Sequence, residues 1–124
     1  FRNNILMGGG GSAGYGFYED DQQNGRTCEP TEYEYNAIYG GTAAHRQWTA
    51  AGVANVLPTV ALVDLLPYAA NNVDNDCMLT SNAHLPSGSP CIDQATMTEA
   101  SDHDIDGDAR PQGSGVDIGA DEAS

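Results

Sequence analysis

The stretch FRNNILMGG (residues 1–9) is followed 32 residues later by YEYNAIYGG (residues 33–41). Both fit the pattern aromatic-x-x-Asn-x-(Leu/Ile)-x-Gly-Gly. Alternating apolar residues ended by glycines indicate a short strand and a turn in each copy. Such a strand cannot bury its inner face alone, whereas copies stacked in parallel bury a continuous core. We therefore predict two rungs of a solenoid with the rung asparagines Asn4 and Asn36 stacked amide on amide; two unrelated strands are the alternative.

The composition limits the partners of the chain. Its 124 residues suffice for one domain or part of one, and 4 basic residues against 18 acidic ones give a formal net charge of -14. This charge disfavours nucleic acid and anionic membrane surfaces, and it permits binding of cations or neutral sugars. No apolar run reaches the roughly 18 residues that a membrane span needs. We expect no nucleic-acid partner, no membrane insertion and an extracellular setting.

The chain divides into two predicted parts. The first residues show neither a signal peptide nor an initiating Met, so we expect a fragment of a longer chain. Residues 1–86 are predicted to form terminal rungs with an exposed excursion at about 14–34, and residues 87–124 a C-terminal cap. The excursion carries aromatics that either pack it against the scaffold or stack on sugars: Tyr15, Phe17, Tyr18, Tyr33 and Tyr35.

Three further segments are assigned from local pattern. Residues 42–57 are rich in alanine around Trp48 and predict one short helix. Residues 58–76 are apolar and then rich in Asn and Asp, which predicts a strand followed by an exposed turn. From Met78 onward frequent turn sequences indicate irregular β structure with short strands.

The three cysteines leave two possibilities open. Cys77 and Cys91 are 14 residues apart in a turn-rich segment, and a disulfide there would stabilise the fold by roughly 3 kcal/mol. Cys28 would then lack a partner within this chain. Three reduced, buried thiols are the alternative, and an extracellular setting favours the disulfide.

The acidic run DHDIDGDARPQGSGVDIGADE (residues 102–122) has two interpretations. A calcium site would use oxygen ligands at EF-hand spacing, from Asp102, Asp104, Asp106 and Asp108. Arg110 stands where a later ligand belongs and Gly113 replaces the final Glu, so an EF-hand is excluded and only a looser calcium site remains.

A structural clasp is the second interpretation of the acidic run. A guanidinium can hold two carboxylates and fix a returning chain. The residues predicted to form this clasp are Arg110 with Asp104, Asp106, Asp117 and Glu122.

Two motifs carry a family resemblance. SGSPCIDQAT (residues 87–96) and DIDGDARPQGSGVDIGADE (residues 104–122) resemble the closing signature of the choice-of-anchor Q domain. The matching residues are Ser89, Pro90, Ile92 and Asp93; Asp104, Asp106, Gly107, Arg110 and Pro111; and Asp117, Ile118, Gly119, Ala120 and Glu122. The resemblance implies a bacterial surface or secreted protein with an all-β, loop-rich, right-handed parallel β-helix of the pectin-lyase-like kind. Cys91 stands where the family more usually has a small residue, which supports a bridge to Cys77.

Three functions follow as hypotheses. We expect a non-catalytic end module of an extracellular, cell-surface β-helix protein that caps the solenoid and contributes to binding of polysaccharide or another surface protein. The alternative is the C-terminal part of a polysaccharide lyase or glycoside hydrolase with its catalytic residues upstream. A second alternative is a calcium-binding module. The sequence assigns no catalytic residue here, and the spacing of His45, His84 and His103 matches no metal motif.

Overall fold

The computed structural model describes residues 1–8, 14–19, 30–48 and 54–123. Their fold is all-β and loop-rich, as predicted, with very little helix. The described part of the chain includes no helix with the length and apolar character needed to cross a bilayer. In chain order the elements are β1 (Ile5–Met7), β2 (Tyr15–Tyr18), β3 (Tyr33–Glu34), β4 (Ala37–Tyr39), β5 (Ala43–Trp48), β6 (Ala54–Leu57), α1 (Val60–Val63) and β7 (Ala69–Ala70).

The two copies of the sequence repeat pair with each other in parallel. Strand β1 lies beside β4 with Ile5 opposite Ala37, which is the 32-residue offset of the repeat. A third segment joins them, because β3 pairs in parallel with β7 and Ala37 bridges to Val73. The chain thus makes three parallel passes, which we call pass 1 (residues 1–7), pass 2 (residues 33–39) and pass 3 (residues 69–73).

A second sheet accompanies the first two passes. Strand β2 pairs in parallel with β5, and β6 then folds back antiparallel along the other edge of β5. The helix predicted within residues 42–57 is therefore wrong for the residues that the structure describes there, which form β5 and β6. The physical reason is burial: Ala43, Ala44 and His45 are buried, and the pairing of β5 on both edges outweighs the helix propensity of alanine.

The apolar part of residues 58–76, which predicted a strand before an exposed turn, begins instead with the helix α1, and only Ala69–Ala70 (β7), directly before the Asn/Asp-rich turn, is a strand. Thr59 caps the short helix α1, and its side chain accepts a hydrogen bond from the Leu62 N–H. Val60 and Val63 are buried on one side of this helix because residues three apart share a helix face. The predicted exposure of the Asn/Asp-rich turn holds for residues 74–76.

The glycines that end the first two passes pack against each other. A Cβ added to Gly8 would collide with the Gly41 Cα. The neighbouring Gly40 has a φ of 76°, a left-handed conformation that favours glycine. Gly8, Gly40 and Gly41 therefore allow close backbone contact between the stacked turns.

Two cores lie on opposite faces of the stacked passes. The inner core contains Leu6 and Ile38 together with Val60 and Val63 of α1. Their strand neighbours Ile5 and Ala37 face the other way, into an outer core, because successive side chains in a strand alternate. The outer core is completed from the C-terminal part of the chain by Cys77, Leu85, Cys91 and Ile118.

The C-terminal segment (residues 87–123) covers the outer face of the passes. The Gly119 N–H donates to the Asn3 carbonyl at 2.9 Å, and the Asn3 side chain bonds both the N–H and the carbonyl of Thr96. Turns are frequent, as predicted, but the short strands expected after Met78 are absent from the described residues apart from a bridge between His103 and Ala109. The segment therefore packs against the side of the stack.

Candidate functional site

Three asparagines form a continuous ladder through the stacked passes. The Oδ1 of Asn36 accepts from the backbone N and Nδ2 of Asn4 at 3.0 and 3.1 Å. The Oδ1 of Asn72 accepts from the same two groups of Asn36 at 3.0 and 2.9 Å. Each amide oxygen thus satisfies two donors of the preceding pass, which compensates the cost of burying these polar groups.

The backbone before each ladder position has the same unusual shape. Asn3, Tyr35 and Asn71 have φ values of 58°, 53° and 57°. This left-handed residue bends the chain at the same place in every pass, and it aims the following asparagine along the stack.

Asn4 and Asn36 occupy the places that the sequence predicts, and Asn72 was missed. Its signal is the short match between Asn71-Asn72-Val73 and Asn3-Asn4-Ile5. The match was hidden because Asn72 follows Asn36 by 36 residues rather than 32, and no glycine pair follows it.

Asp64 ends the ladder beyond Asn72. Its Oδ2 accepts from the Asn72 backbone N at 3.1 Å and its Oδ1 from the Asn72 Nδ2 at 2.6 Å. Asn4 and Asn36 use the same two donors, the backbone N–H and Nδ2, for their hydrogen bonds to the next asparagine. A carboxylate has no N–H to pass on, so the chain of amide donors stops at Asp64.

The two ends of the stack differ. At the end beyond pass 3, β6 covers the edge of β5, and α1 packs into the inner core. At the opposite end, within the part of the chain that the structure describes, β1 and β2 each pair on one edge only. The ladder and the inner core are therefore closed at one end by Asp64 and α1, whereas the described stack presents strand edges at both ends, β6 and β7 at this one and β1 and β2 at the other.

Of the residues predicted for the clasp, Arg110 and Glu122 form an ion pair. The Arg110 Nε lies 2.9 Å from Glu122 Oε2, with only 6% and 0% of the two side chains exposed. The remaining guanidinium nitrogens donate to the backbone carbonyls of Asp117 and Gly119 at 2.6 and 3.2 Å. Arg110 therefore holds the returning chain mainly through hydrogen bonds to the backbone carbonyls of that chain, and Glu122 is its acidic partner.

The other acids predicted for the clasp bind elsewhere. Asp117 is buried, and its two oxygens accept from the N–H groups of Asp93 and Ala123. Asp104 accepts from the backbone N–H groups of Asp106 and Asp108 with one oxygen and of Glu122 with the other. Burial raises the pKa of Asp117. These carboxylates stabilise turns by taking up backbone donors.

The four predicted calcium ligands do not converge in the described structure. Asp102 is exposed and bonds to His103, whereas the oxygens of Asp104 are occupied by backbone N–H groups. Asp106 instead approaches His84, with 3.4 Å between Oδ2 and Nδ1. Neither Asp102 nor Asp108 belongs to a described group of side chains that could share an ion.

A different group, which the sequence did not suggest, does come together. His84, Asp106 and Asp121 place one ligand atom each within 4.8 Å of one another. Asp121 Oδ1 lies 2.8 Å from His84 Nδ1, and its Oδ2 accepts from the Leu85 N–H at 2.6 Å. The hydrogen bond to Asp121 raises the pKa of His84. The imidazole and the two carboxylates are groups that can bind a divalent cation. Without a cation, the hydrogen bonds from Asp121 to His84 and to the Leu85 N–H hold the chain at Leu85 in place.

The disulfide between Cys77 and Cys91 is confirmed. Their Cα atoms lie 5.3 Å apart, and both residues are fully buried in the outer core. The Ser89 hydroxyl donates to the Cys77 carbonyl at 2.8 Å, which closes the loop a second time. Cys28 lies outside the described residues.

The sequence did not predict the buried pair formed by His45 and Glu19. His45 Nε2 lies 3.0 Å from Glu19 Oε1, with 0% and 2% of the side chains exposed. The ring of His45 also contacts those of Phe17 and Tyr33. Burial lowers the pKa of His45 to about 4. The histidine is therefore neutral near pH 7, and its Nε2–H donates to the carboxylate.

The aromatic residues of the predicted excursion separate into two groups. Phe17 and Tyr33 pack with Phe1 between the passes, so they contribute to the core. Tyr15 and Tyr18 lie against each other with the Arg46 guanidinium over their rings. Most of the excursion, residues 20–29, lies outside the described part.

No family model, curated protein or solved structure matches the chain. The candidate function therefore rests on the ladder, its closed end and the C-terminal segment.

Proposed function

We propose that this chain is a non-catalytic end module of an extracellular, cell-surface protein with a right-handed parallel β-helix of the choice-of-anchor Q kind. Its function is to terminate the coil. The observation that carries the proposal is the double hydrogen bond from Asn72 to Asp64. It replaces the next asparagine with a group that cannot continue the ladder.

Termination is a necessary function in a stacked β structure. The last turn of a coil exposes unpaired backbone groups and apolar core, which makes it prone to add further strands or to aggregate. Here β6 pairs against the exposed edge of β5, and Val60 and Val63 of α1 fill the inner core. The inner core and the ladder are thus closed at the end where β6 covers the edge of β5, and β6 and β7 are the last described strands there.

The C-terminal segment, which packs against the side of the stack, also supports the proposal. It covers Ile5 and Ala37 with Ile118 and the disulfide-bonded cysteines. The acids of the choice-of-anchor Q signature, such as Asp117 and Glu122, take up backbone N–H groups of this segment and so hold it in place. A disulfide and a net charge of -14 suit an oxidising, extracellular setting.

Substitution of Asp64 tests the proposal. Asp64→Ala removes the acceptor of the Asn72 backbone N–H and one of the two acceptors of its Nδ2, which still donates to the Tyr33 carbonyl. We therefore expect the free energy of unfolding to fall by about 1–3 kcal/mol. The Asn72 amide should also exchange faster with solvent, and the chain should self-associate more than wild type in sedimentation velocity. Asp74→Ala is the matched control, because Asp74 is exposed beside the same pass. Equal stability and equal association of the two variants would overturn the proposal.

A further inference from the structure

We infer that His84, Asp106 and Asp121 form a binding site for one divalent transition-metal ion, for which zinc serves as the probe. The two aspartates belong to the C-terminal segment and the histidine precedes it, so the ion joins that segment to the chain before it. The site is independent of the proposed function, because neither Asp64 nor any ladder asparagine is among its ligands.

The three ligand atoms lie close to the separations that a bound ion requires. His84 Nδ1 is 2.8 Å from Asp121 Oδ1 and 3.4 Å from Asp106 Oδ2, and all three atoms lie within 4.8 Å of one another. Zinc bonds to nitrogen and oxygen of about 2.0–2.2 Å, at tetrahedral angles, separate the ligand atoms by about 3.3–3.6 Å. Small rotations of the three side chains therefore suffice to place the ion between them.

The most buried ligand is directed at the imidazole by the surrounding chain. Only 7% of the Asp121 side chain is exposed, and its Oδ2 accepts from the Leu85 N–H. Its Oδ1 has the His84 ring as its partner among the described residues. The His84 backbone is itself held by two hydrogen bonds with Thr80. A carboxylate oxygen buried at this place needs either a proton donor or a metal ion.

The negative charge around the group also favours a cation. A cavity of about 340 Å³ is lined by His84 together with four aspartates, namely Asp104, Asp106, Asp108 and Asp121. Among the described residues, Asp106 and Asp121 pair with His84 and with no arginine. Backbone N–H groups occupy both oxygens of Asp104, so this residue adds negative potential without competing as a ligand. One imidazole among four carboxylates leaves a charge that a divalent cation neutralises.

The ligand set indicates the class of ion. One imidazole nitrogen with two carboxylate oxygens is a combination that zinc and related transition-metal ions accept, with a further position left for water. Calcium takes about 6–8 oxygen ligands, which is more than this group offers. Since 56% of the Asp106 side chain is exposed, the ion enters from that side and the open position faces solvent.

Isothermal titration calorimetry of the whole chain with zinc chloride, after treatment with a chelator, tests the inference. Every chain carries Cys28→Ser and no affinity tag, because thiolates and histidine tags bind zinc themselves. We expect binding to saturate at one zinc ion per chain and to weaken at least about tenfold in His84→Gln and in Asp106→Asn. Zinc should also slow hydrogen exchange of the Leu85 amide, because the ion fixes its acceptor Asp121.

The matched controls are Asp108→Asn and His103→Gln. Asp108 lines the same cavity without belonging to the ligand group, and His103 forms a separate, exposed pair with Asp102. Both variants should bind zinc within about twofold of the parent chain. Asp106→Asn changes a largely exposed side chain, so its unfolding midpoint without zinc should match that of the parent.

Each outcome decides the inference. Zinc binding that depends on His84 and Asp106, and on neither control position, supports it. Absence of zinc binding would mean that the group is a hydrogen-bonded anchor only, which overturns the inference. Equal zinc binding by all variants would show an adventitious ion only and would also overturn it. Tighter binding of calcium chloride through the same residues would overturn the assignment to a transition metal.

Discussion

The Nδ2 of Asn36 donates to the Oδ1 of Asn72 at 2.9 Å, although 36 residues separate them in the chain. The same Asn36 accepts from Asn4 on its other side, so one buried side chain links three passes. The buried asparagine amides therefore obtain their hydrogen-bond partners only when the passes stack.

Replacing the middle of the ladder should be costly. Asn36→Ala removes the acceptor of two Asn4 donors and the side-chain donor to Asn72, while the backbone N–H that also donates to Asn72 remains. We expect a loss of about 3 kcal/mol in the free energy of unfolding. Asn55→Ala is the control, because Asn55 is exposed on β6 and should lie within about 0.5 kcal/mol of wild type. Urea denaturation followed by circular dichroism gives both values, and similar midpoints would contradict a stabilising ladder.

The glycine contact between passes predicts a steric effect. A methyl group at Gly8 would meet the Gly41 backbone, which cannot yield as a flexible side chain does. We expect Gly8→Ala to destabilise the fold by about 1–3 kcal/mol. Gly88→Ala is the matched control, since a Cβ there meets nothing within 4 Å. Thermal denaturation of the pair checks this, and a Gly8→Ala chain as stable as the control would refute close packing.

The clasp predicts that Arg110 matters more than Arg46, a half-buried arginine that donates to the Tyr18 hydroxyl. Arg110→Ala leaves the wholly buried Glu122 carboxylate without its cation, and we expect a loss of about 3–5 kcal/mol. Arg46→Ala, where the guanidinium lies on the rings of Tyr15 and Tyr18, should cost about 1 kcal/mol or less. Chemical denaturation at pH 7 measures both, and equal losses would show that the ion pair contributes no more than a surface contact.

The disulfide predicts sensitivity to reductant. It closes a loop with a sequence separation of 14, for which the chain-entropy model gives about 3 kcal/mol. Dithiothreitol should therefore lower the free energy of unfolding of the wild-type chain. The double variant Cys77→Ala, Cys91→Ala should be less stable from the start and indifferent to the reductant. A wild-type chain equally stable in both conditions would argue against a stabilising bridge.

The buried histidine predicts acid sensitivity. Burial depresses the pKa of His45 from 6.5 to about 4 in the folded chain. The unfolded chain therefore binds the proton first, and the stability present above pH 6.5 declines as the pH falls towards 4. Between pH 7 and pH 5 this one group should remove about 2 kcal/mol.

The matched variants for this pH effect are His45→Gln and His103→Gln. The first keeps a donor for Glu19 without titrating, so its stability should fall less than that of wild type between pH 7 and pH 5. The second replaces an exposed histidine and should follow the wild-type curve. A wild-type chain that gains stability on acidification relative to His45→Gln would mean that a charged His45–Glu19 pair forms instead.

The stacked passes could be predicted because their signal is repeated along the chain. Asn4 and Asn36, with the glycines after them, keep the same spacing in both copies, and the parallel pairing has that register. The disulfide was predictable from two cysteines in a turn-rich segment. The acids around Arg110 indicated a clasp by their density, but density could not show which of them reaches the guanidinium.

Other features could not be read from local pattern. Residues 43–46 have the composition of a helix, and they became a strand because β2 and β6 offered backbone partners on both edges. Asp64 resembles any acid after a short helix until pass 3 brings Asn72 beside it. His45 and Glu19 are ordinary polar residues in the sequence, and only the packed rings around them make them a buried pair.

The order of residues alone determined the repeat, its offset and the residue types that stacking requires. Equivalent positions in stacked passes have similar surroundings, so they need similar residues. Three-dimensional packing decided where the asparagine ladder ends and which strand edges of the described residues are paired. Those outcomes depend on backbone donors and acceptors, which nearly every residue carries and which acquire a partner only when distant segments meet.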